Sequence, residues 1–310
     1  MHAFDSYSIT MVRKVVMIEN CFNYVGSKDR IFPAIDKNLD KSKRVLVDLF
    51  CGSGVVGINE LSNYSNVVLN DACWQMVEVL RFFRDNPYKE IISKIENYID
   101  LYKLSKENKE GYNELREAFN EESYLKLMFD PAMFYCLITH SFNYNIHINS
   151  SGKFSVPSGK NRCYFNKNLR AKLEAFQWEL HENKSKVTIK NEDFKELVKK
   201  AEAIIPNTVF YCDPPYYSSD DSYSRIYYLG KWKEPQEYKL YNTLDYINQK
   251  GGSFLLSNVL ENNGKTNLIL KEWYRRHKYN VIEIDSADYT NCNYQRKNNG
   301  KTKEVLIRNY

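Results

Sequence analysis

Seven short β-rich runs, most of them separated by helical patterns, constrain the fold of this 310-residue chain more than any other feature. They are Val45–Leu49, Asn66–Asn70, Lys186–Lys190, Thr208–Cys212, Ser253–Ser257, Tyr279–Ile284 and Lys303–Arg308. Val55–Leu61, Glu192–Ala203, Gln236–Gln249 and Asn267–His277 read as helices between them. Strands alternating with helices predict a doubly wound, mainly parallel α/β sheet. The last two runs lack a helix between them, which predicts an antiparallel pair at one edge.

The segment from Cys73 to Ser185 breaks this alternation. Its patterns are helical at Trp74–Arg84, Ile91–Leu104, Tyr112–Phe119, Pro131–Tyr144 and Asn168–Glu179. A turn-rich stretch, Asn145–Asn161, interrupts them, and the hydrophilic Lys103–Gly111 predicts an exposed loop. Such a helical insertion with a polar loop suits a recognition subdomain.

Two motifs carry chemistry. The apolar run Thr208–Cys212 ends in Asp213-Pro214-Pro215-Tyr216. The prolines stop the ladder and stiffen the turn, so that the Asp213 carboxylate and a backbone carbonyl face one small space beside the Tyr216 ring. Such a corner accepts two hydrogen bonds from a planar exocyclic amine and stacks its ring. Upstream, Val45–Leu49 flows into Phe50-Cys51-Gly52-Ser53-Gly54, where glycine lets backbone approach a ligand. The spacing is not GxGxxG. Asp71, about 20 residues past the turn, is placed to bind ribose hydroxyls.

Net charge is only +5, so the distribution of charge matters more than its sum. Pro131 to Leu173 contains no Asp or Glu but carries Lys153, Lys160, Arg162 and Arg170 among aromatic residues, which fits a phosphate-neutralising face. Seven cysteines without a Cys-X-X-Cys pair read as reduced thiols, and neither they nor the five histidines have metal-ligand spacing. No apolar run reaches the ~20 residues that span a bilayer, and no signal-peptide pattern opens the chain. The expected location is cytoplasmic.

With these motifs in order, the chain resembles the Dam-type (α-group, D12 class) DNA adenine-N6 methyltransferases. Asn23-Tyr24-Val25-Gly26-Ser27-Lys28 resembles the family's N-terminal cofactor motif, and Asp48 to Gly54 its glycine-rich loop. Asn70-Asp71 looks like the ribose-binding acid, and Asp193-Phe194 like the pair at the cofactor adenine. Phe154-Ser155-Val156-Pro157 is similar to the Phe-Asn-Val-Pro element of the DNA-recognition region, and Asp213 to Tyr216 to the catalytic motif. Ser257-Asn258 and Lys303-Glu304-Val305-Leu306 complete the set.

The resemblance implies a Rossmann-like seven-stranded methyltransferase sheet with a helical DNA-recognition insertion. Residues 1–20 would be an N-terminal extension, 21–80 and 181–310 the S-adenosylmethionine-binding catalytic domain, and 81–180 the insertion. It assigns Tyr24, Lys28, Asp48, Phe50, Gly52, Gly54, Asp71, Asp193, Phe194 and Asp213 to the cofactor. Asp213, Pro214, Pro215 and Tyr216 fall to catalysis on an adenine flipped out of duplex DNA. Asn23, His147, Asn149, Lys153, Lys160, Arg162 and Arg170 fall to DNA.

An RNA adenine-N6 or DNA cytosine-N4 enzyme shares the fold but usually carries Asn or Ser in place of Asp213. A silent DNA-binding protein on the scaffold would show a damaged motif, and Asp48, Gly52, Gly54, Asp71, Asp213 and Tyr216 are intact. Relatives reading GATC usually carry Lys and Arg where this chain has Asn23 and His147, which predicts an adenine in another short site. The enzyme would be an orphan methylase or part of a restriction–modification system, with a cognate endonuclease as a further partner in the second case. The oligomeric state is left open.

Overall fold

The computed structural model describes residues 17–23, 26–122, 128–217, 232–262, 264–284 and 302–310. Among them, eight strands form one sheet: β1 (Val45–Asp48), β2 (Asn66–Asn70), β3 (Val187–Lys190), β4 (Thr208–Cys212), β5 (Ser253–Asn262), β6 (Lys265–Thr266), β7 (Asn280–Ile284) and β8 (Lys303–Arg308). Their order is β3-β2-β1-β4-β5-β8-β7, with β6 paired to β5. The first five are parallel, and β8 runs antiparallel to both β5 and β7. The expected antiparallel pair at one edge is present. Two details differ from the expected seven strands: β5 continues to Asn262, and the two-residue β6 hairpins back onto it.

Helices cover both faces. Even-numbered β4 and β5 residues (Phe210, Cys212, Phe254, Leu256), with Val47, Leu49, Val305 and Ile307, pack under α8 (Phe194–Lys200), α9 (Glu234–Gln249) and α10 (Leu268–His277). The opposite set, including Leu46, Val209, Tyr211, Leu255 and Leu306, packs with α1 (Phe32–Asn38), α2 (Val55–Asn59) and the long insertion. Side chains alternate across a strand, so one continuous apolar run serves both layers.

The insertion comprises α3 (Trp74–Asp85), α4 (Tyr88–Leu101), α5 (Lys109–Glu122), α6 (Pro131–His140) and α7 (Lys167–Glu182). From Ala132 to His140 every residue of α6 is buried, so it is the insertion's central helix. Its rings join the core of the adjoining sheet face rather than forming a separate one. The pattern that predicts a helix to Tyr144 ends at His140. Ser141 is extended, and Asn143 and Tyr144 take positive φ, which breaks the helix.

Gly111, placed by composition in an exposed loop, is buried in the first turn of α5. A Cβ there would stand 1.9 Å from the Tyr102 carbonyl oxygen at the end of α4. Alanine in a helix ordinarily gains about 1 kcal/mol over glycine. Here Gly111→Ala is expected to destabilise by about 1–3 kcal/mol, lowering the thermal midpoint by a few degrees. An unchanged or higher midpoint would contradict the close α4–α5 approach.

Candidate active site

The register of the central strands brings the two motifs together. β1 and β4 are parallel neighbours, with Asp48 opposite Tyr211, so the glycine turn and the Asp-Pro-Pro-Tyr turn leave the sheet side by side. The chain departs from β1 to both sides here, to β2 and to β4, and crevices at such switch points bind ligands.

Backbone bonds fix the glycine turn. Leu49 N donates to Tyr211 O at 2.9 Å, Cys51 N to Asn70 O at 2.8 Å, and Gly54 N to Cys51 O at 2.7 Å. Gly52 and Gly54 take φ of 52° and 79°, a region costly to residues with a Cβ. Asn70 spans three strand ends: its side chain donates to Leu49 O and Glu192 O and accepts from Glu192 N, at 3.0–3.1 Å. The Asp71 carboxylate accepts from Gly52 N and Cys73 N, each at 2.8 Å. Ala72 N also acts on it, and the carboxylate keeps lone-pair capacity for a further donor.

Beside this turn, the Asp213 carboxylate meets the Lys28 ammonium at 2.5 Å and accepts from the Tyr216 hydroxyl at 3.1 Å. Lys28 also donates to Gly26 O at 3.1 Å and stands 5.7 Å from the Tyr216 ring centre. Burial pulls the Lys28 ammonium down, but Asp213, Tyr216 and Tyr211 more than reverse this and hold it well above the ordinary lysine range. Burial likewise pushes Asp213 up, against Lys28 and Tyr216. These directions compete for one proton. Lys28 starts from the far higher proton affinity and is pushed well up, so it keeps the proton, and the pair is ionised with the upward pressure on Asp213 offset in part.

Asp48 is 1% exposed, and its Oδ1 has no hydrogen-bond partner among the described residues. Burial, then Asp213 and Asp71, push its carboxyl well above the ordinary aspartate range. Buried Asp48 and Asp71 and half-buried Asp213 thus gather three carboxyl groups beside one lysine. The corner is short of positive charge.

On its other side, the Phe50 ring lies 5.1 Å from that of Phe194. Trp232 closes the group, 5.8 Å from Phe50 and 6.2 Å from Phe194, and donates from its indole to Glu237 at 2.7 Å. Trp232 carries no motif or periodicity and is missed by sequence reasoning. Asp193 caps α8 through Lys195 N at 3.0 Å and pairs with Lys239 at 2.7 Å. Tyr24, expected along the cofactor, lies outside the described residues.

The residues expected at DNA divide into groups. His147 and Asn149 build one turn: His147 Nδ1 meets Ser155 Oγ at 2.5 Å, and Asn149 Oδ1 accepts from Ser151 N and Lys153 N at 3.0 and 2.9 Å. That turn is anchored beneath. Phe154 and Val156 are buried, Asn120 holds the Phe154 backbone on both sides, and Tyr112 donates to Val156 O. Lys153, Lys160 and Arg162 are exposed on this turn and the next. Asn23, at φ 54°, accepts from Lys172 at 3.4 Å and bonds Tyr144. Arg170 stands apart: its guanidinium pairs with Glu96 and lies 5.5 Å over the Phe165 ring.

Comparison with known proteins follows the same outline. The chain is 34% identical over 301 residues to the modification methylase StsI of Streptococcus sanguinis, and 35% over 297 residues to the type II methyltransferase M.FokI of Planomicrobium okeanokoites. Each alignment covers 94% of this chain but 43% of the relative, so the chain spans under half the length of these two proteins. The retron Ec67 DNA adenine methylase of Escherichia coli is 26% identical, with 84% of this chain and 82% of that protein covered. The D12 class N6 adenine-specific DNA methyltransferase family matches residues 24–288, and the chain belongs to this family.

Proposed function

We propose that this protein transfers a methyl group from S-adenosylmethionine to N6 of an adenine turned out of duplex DNA. The observation that carries the reading is the half-buried Asp213 carboxylate at the end of β4, set beside the glycine turn of β1.

The corner fits the methyl donor chemically. Three carboxyl groups against one lysine leave the corner short of cations, and S-adenosylmethionine brings two cationic centres, a sulfonium and an ammonium. The open Oδ1 of Asp48 suits the ammonium, and the free lone pairs of Asp71 suit ribose hydroxyls. Phe50, Phe194 and Trp232 offer flat apolar surface for the adenine ring. When bound, the donor supplies an electrophilic methyl carbon on sulfur.

Asp213 and the Pro214 carbonyl would accept the two N6 hydrogens and concentrate the amine's lone pair, which the purine otherwise delocalises. The new N–C bond forms as the C–S electrons return to sulfur. The proton that N6 sheds passes to the Asp213 carboxylate and then to solvent. Orientation and preorganised charge do the catalysis, so no covalent enzyme intermediate is required. Lys28 now holds this carboxylate and must yield it to the amine, while Tyr216 stacks on the base.

Duplex DNA would cross the turns bearing Lys153, Lys160 and Arg162, where exposed cations meet phosphates. Arg170, paired with Glu96, contributes less than its charge suggests. With Asn23 and His147 near this face, the target is an adenine in a short site other than GATC. No helix among the described residues is long and apolar enough to cross a membrane. The setting we assign is the cytoplasm, as the modification enzyme of a restriction–modification system or as an orphan methylase.

Tritium transfer from labelled donor to unmethylated plasmid tests the reading. Asp213→Ala should lose transfer by roughly three orders of magnitude or more, while binding of S-adenosylhomocysteine and DNA survives. Substantial turnover in the variant would sink the mechanism.

Lys28→Met tests the pair. Without the ammonium only the Tyr216 hydroxyl opposes burial at Asp213, and its folded pKa, already above the unfolded value, rises further. An acid raised in this way costs nothing below its unfolded pKa, and stability is lost as pH rises through the folded value. The variant should match the parent protein in acid and fall below it by about 2–3 kcal/mol near neutrality. A deficit independent of pH would contradict the ionised pair.

A further inference from the structure

The proposed reaction assigns no work to Ser257, yet the register of β4 and β5 sets it beside the reacting corner. Cys212 pairs with Leu256 at the end of that parallel ladder, so Asp213, just past β4, stands next to Ser257, which stays within β5 and pairs with Leu306 of β8. Tyr211 pairs with Leu255, and side chains alternate along a strand. Asp213 and Ser257 therefore face the same side, that of the helical insertion.

Ser257 is 1% exposed, and its Oγ has no hydrogen-bond partner among the described residues. A buried hydroxyl left unpaired costs about 1–3 kcal/mol, so one held beside a reactive carboxylate calls for a reason. Glu304, on the neighbouring β8, pairs in register with Val259, two residues beyond Ser257. Its carboxylate acts on the Tyr216 phenol, which burial, Asp213 and Glu304 together push well above the ordinary range. Ser257 and Glu304 thus lie on the β5 side of Asp213, on the sheet face that Asp213 shares, with Glu304 close enough to act on Tyr216.

Strand order gives this side its direction. The glycine turn of β1 lies on one side of Asp213 and the middle of β5 on the other. A methyl donor seated over β1 requires the target amine at Asp213, and the ring behind that amine then extends over β5. The ring nitrogens flanking the amine, N1 and N7, are acceptors, and a hydroxyl satisfies an acceptor.

We propose that the Ser257 hydroxyl donates a hydrogen bond to a ring nitrogen next to the target amine, N1 or N7, and so selects bases that present an amine beside an acceptor. The inference rests on the adenine-methyltransferase reading. Base entry displaces Lys28 and the Tyr216 hydroxyl from Asp213 and brings the acceptor to the orphaned Oγ. Guanine, with an oxygen in place of the amine, meets two acceptors at Asp213 and is refused.

The test is single-turnover methyl transfer by the full chain and by Ser257→Ala. The duplexes carry adenine, 1-deazaadenine or 7-deazaadenine at the target, each analogue replacing one ring nitrogen with C–H. For the parent protein, one of the two analogues should cost about five- to tenfold, the worth of a neutral hydrogen bond. Ser257→Ala should show the same loss on ordinary adenine and no further loss on that analogue, with S-adenosylhomocysteine binding unchanged. Full activity of Ser257→Ala on adenine would overturn the proposal, as would an analogue penalty of the same size in both proteins. If neither analogue costs the parent protein anything, the proposal fails whatever the variant does. A parent protein that methylates ordinary adenine in none of these duplexes refutes the underlying reading instead, and Ser257 with it.

Discussion

The parallel pairing of β1 with β4 is the constraint on which everything else depends. It seats Asp48 opposite Tyr211 and thereby sets the glycine turn against the Asp-Pro-Pro-Tyr turn. Neither motif is a site without the other. The pairing is specified by apolar residues alone, Leu46 and Val209 on one face, Val47 and Phe210 on the other, which the two helical layers bury. A slip of one residue in either strand would turn Asp48 or Tyr211 toward α8 and α9 and take that strand's apolar residues out of both cores.

Electrostatics then explains why so polar a corner is tolerated in a protein interior. Asp71 is held by backbone N–H groups, Asp213 by Lys28 and Tyr216, and Asp48 keeps one oxygen without a partner among the described residues. The carboxylates strain against burial in the same direction, upward. Stability is given up at the place where a cationic ligand and an amine would recover it, which is the usual mark of a binding site rather than of a structural ion pair.

Much of this architecture is legible in the sequence, for physical reasons. The central strands are fully buried apolar runs ended by Asp, Gly or Pro, so period and punctuation agree. The antiparallel edge is legible because no helix separates its two strands. Position within the sheet is not: β8 inserts between β5 and β7, and only that insertion brings Glu304 toward Tyr216. Side-chain partners are likewise invisible to motif reading. Lys28 reads as one member of a cofactor motif, and its contact with Asp213 spans more than half of the chain. Arg170 reads as one cation of a basic stretch, because the carboxylate that engages it, Glu96, lies outside that stretch. Asn149 reads as a base reader, whereas its oxygen is spent on holding its own turn.

The central claim is that the Asp213 corner methylates the exocyclic amine of adenine. The most direct measurement incubates the protein with unmethylated plasmid and S-adenosylmethionine, then identifies the modified nucleoside by mass spectrometry and maps it by single-molecule sequencing. The account predicts N6-methyladenine as the sole product, at one short motif other than GATC. N4-methylcytosine, or no modified base at all in DNA, would contradict it.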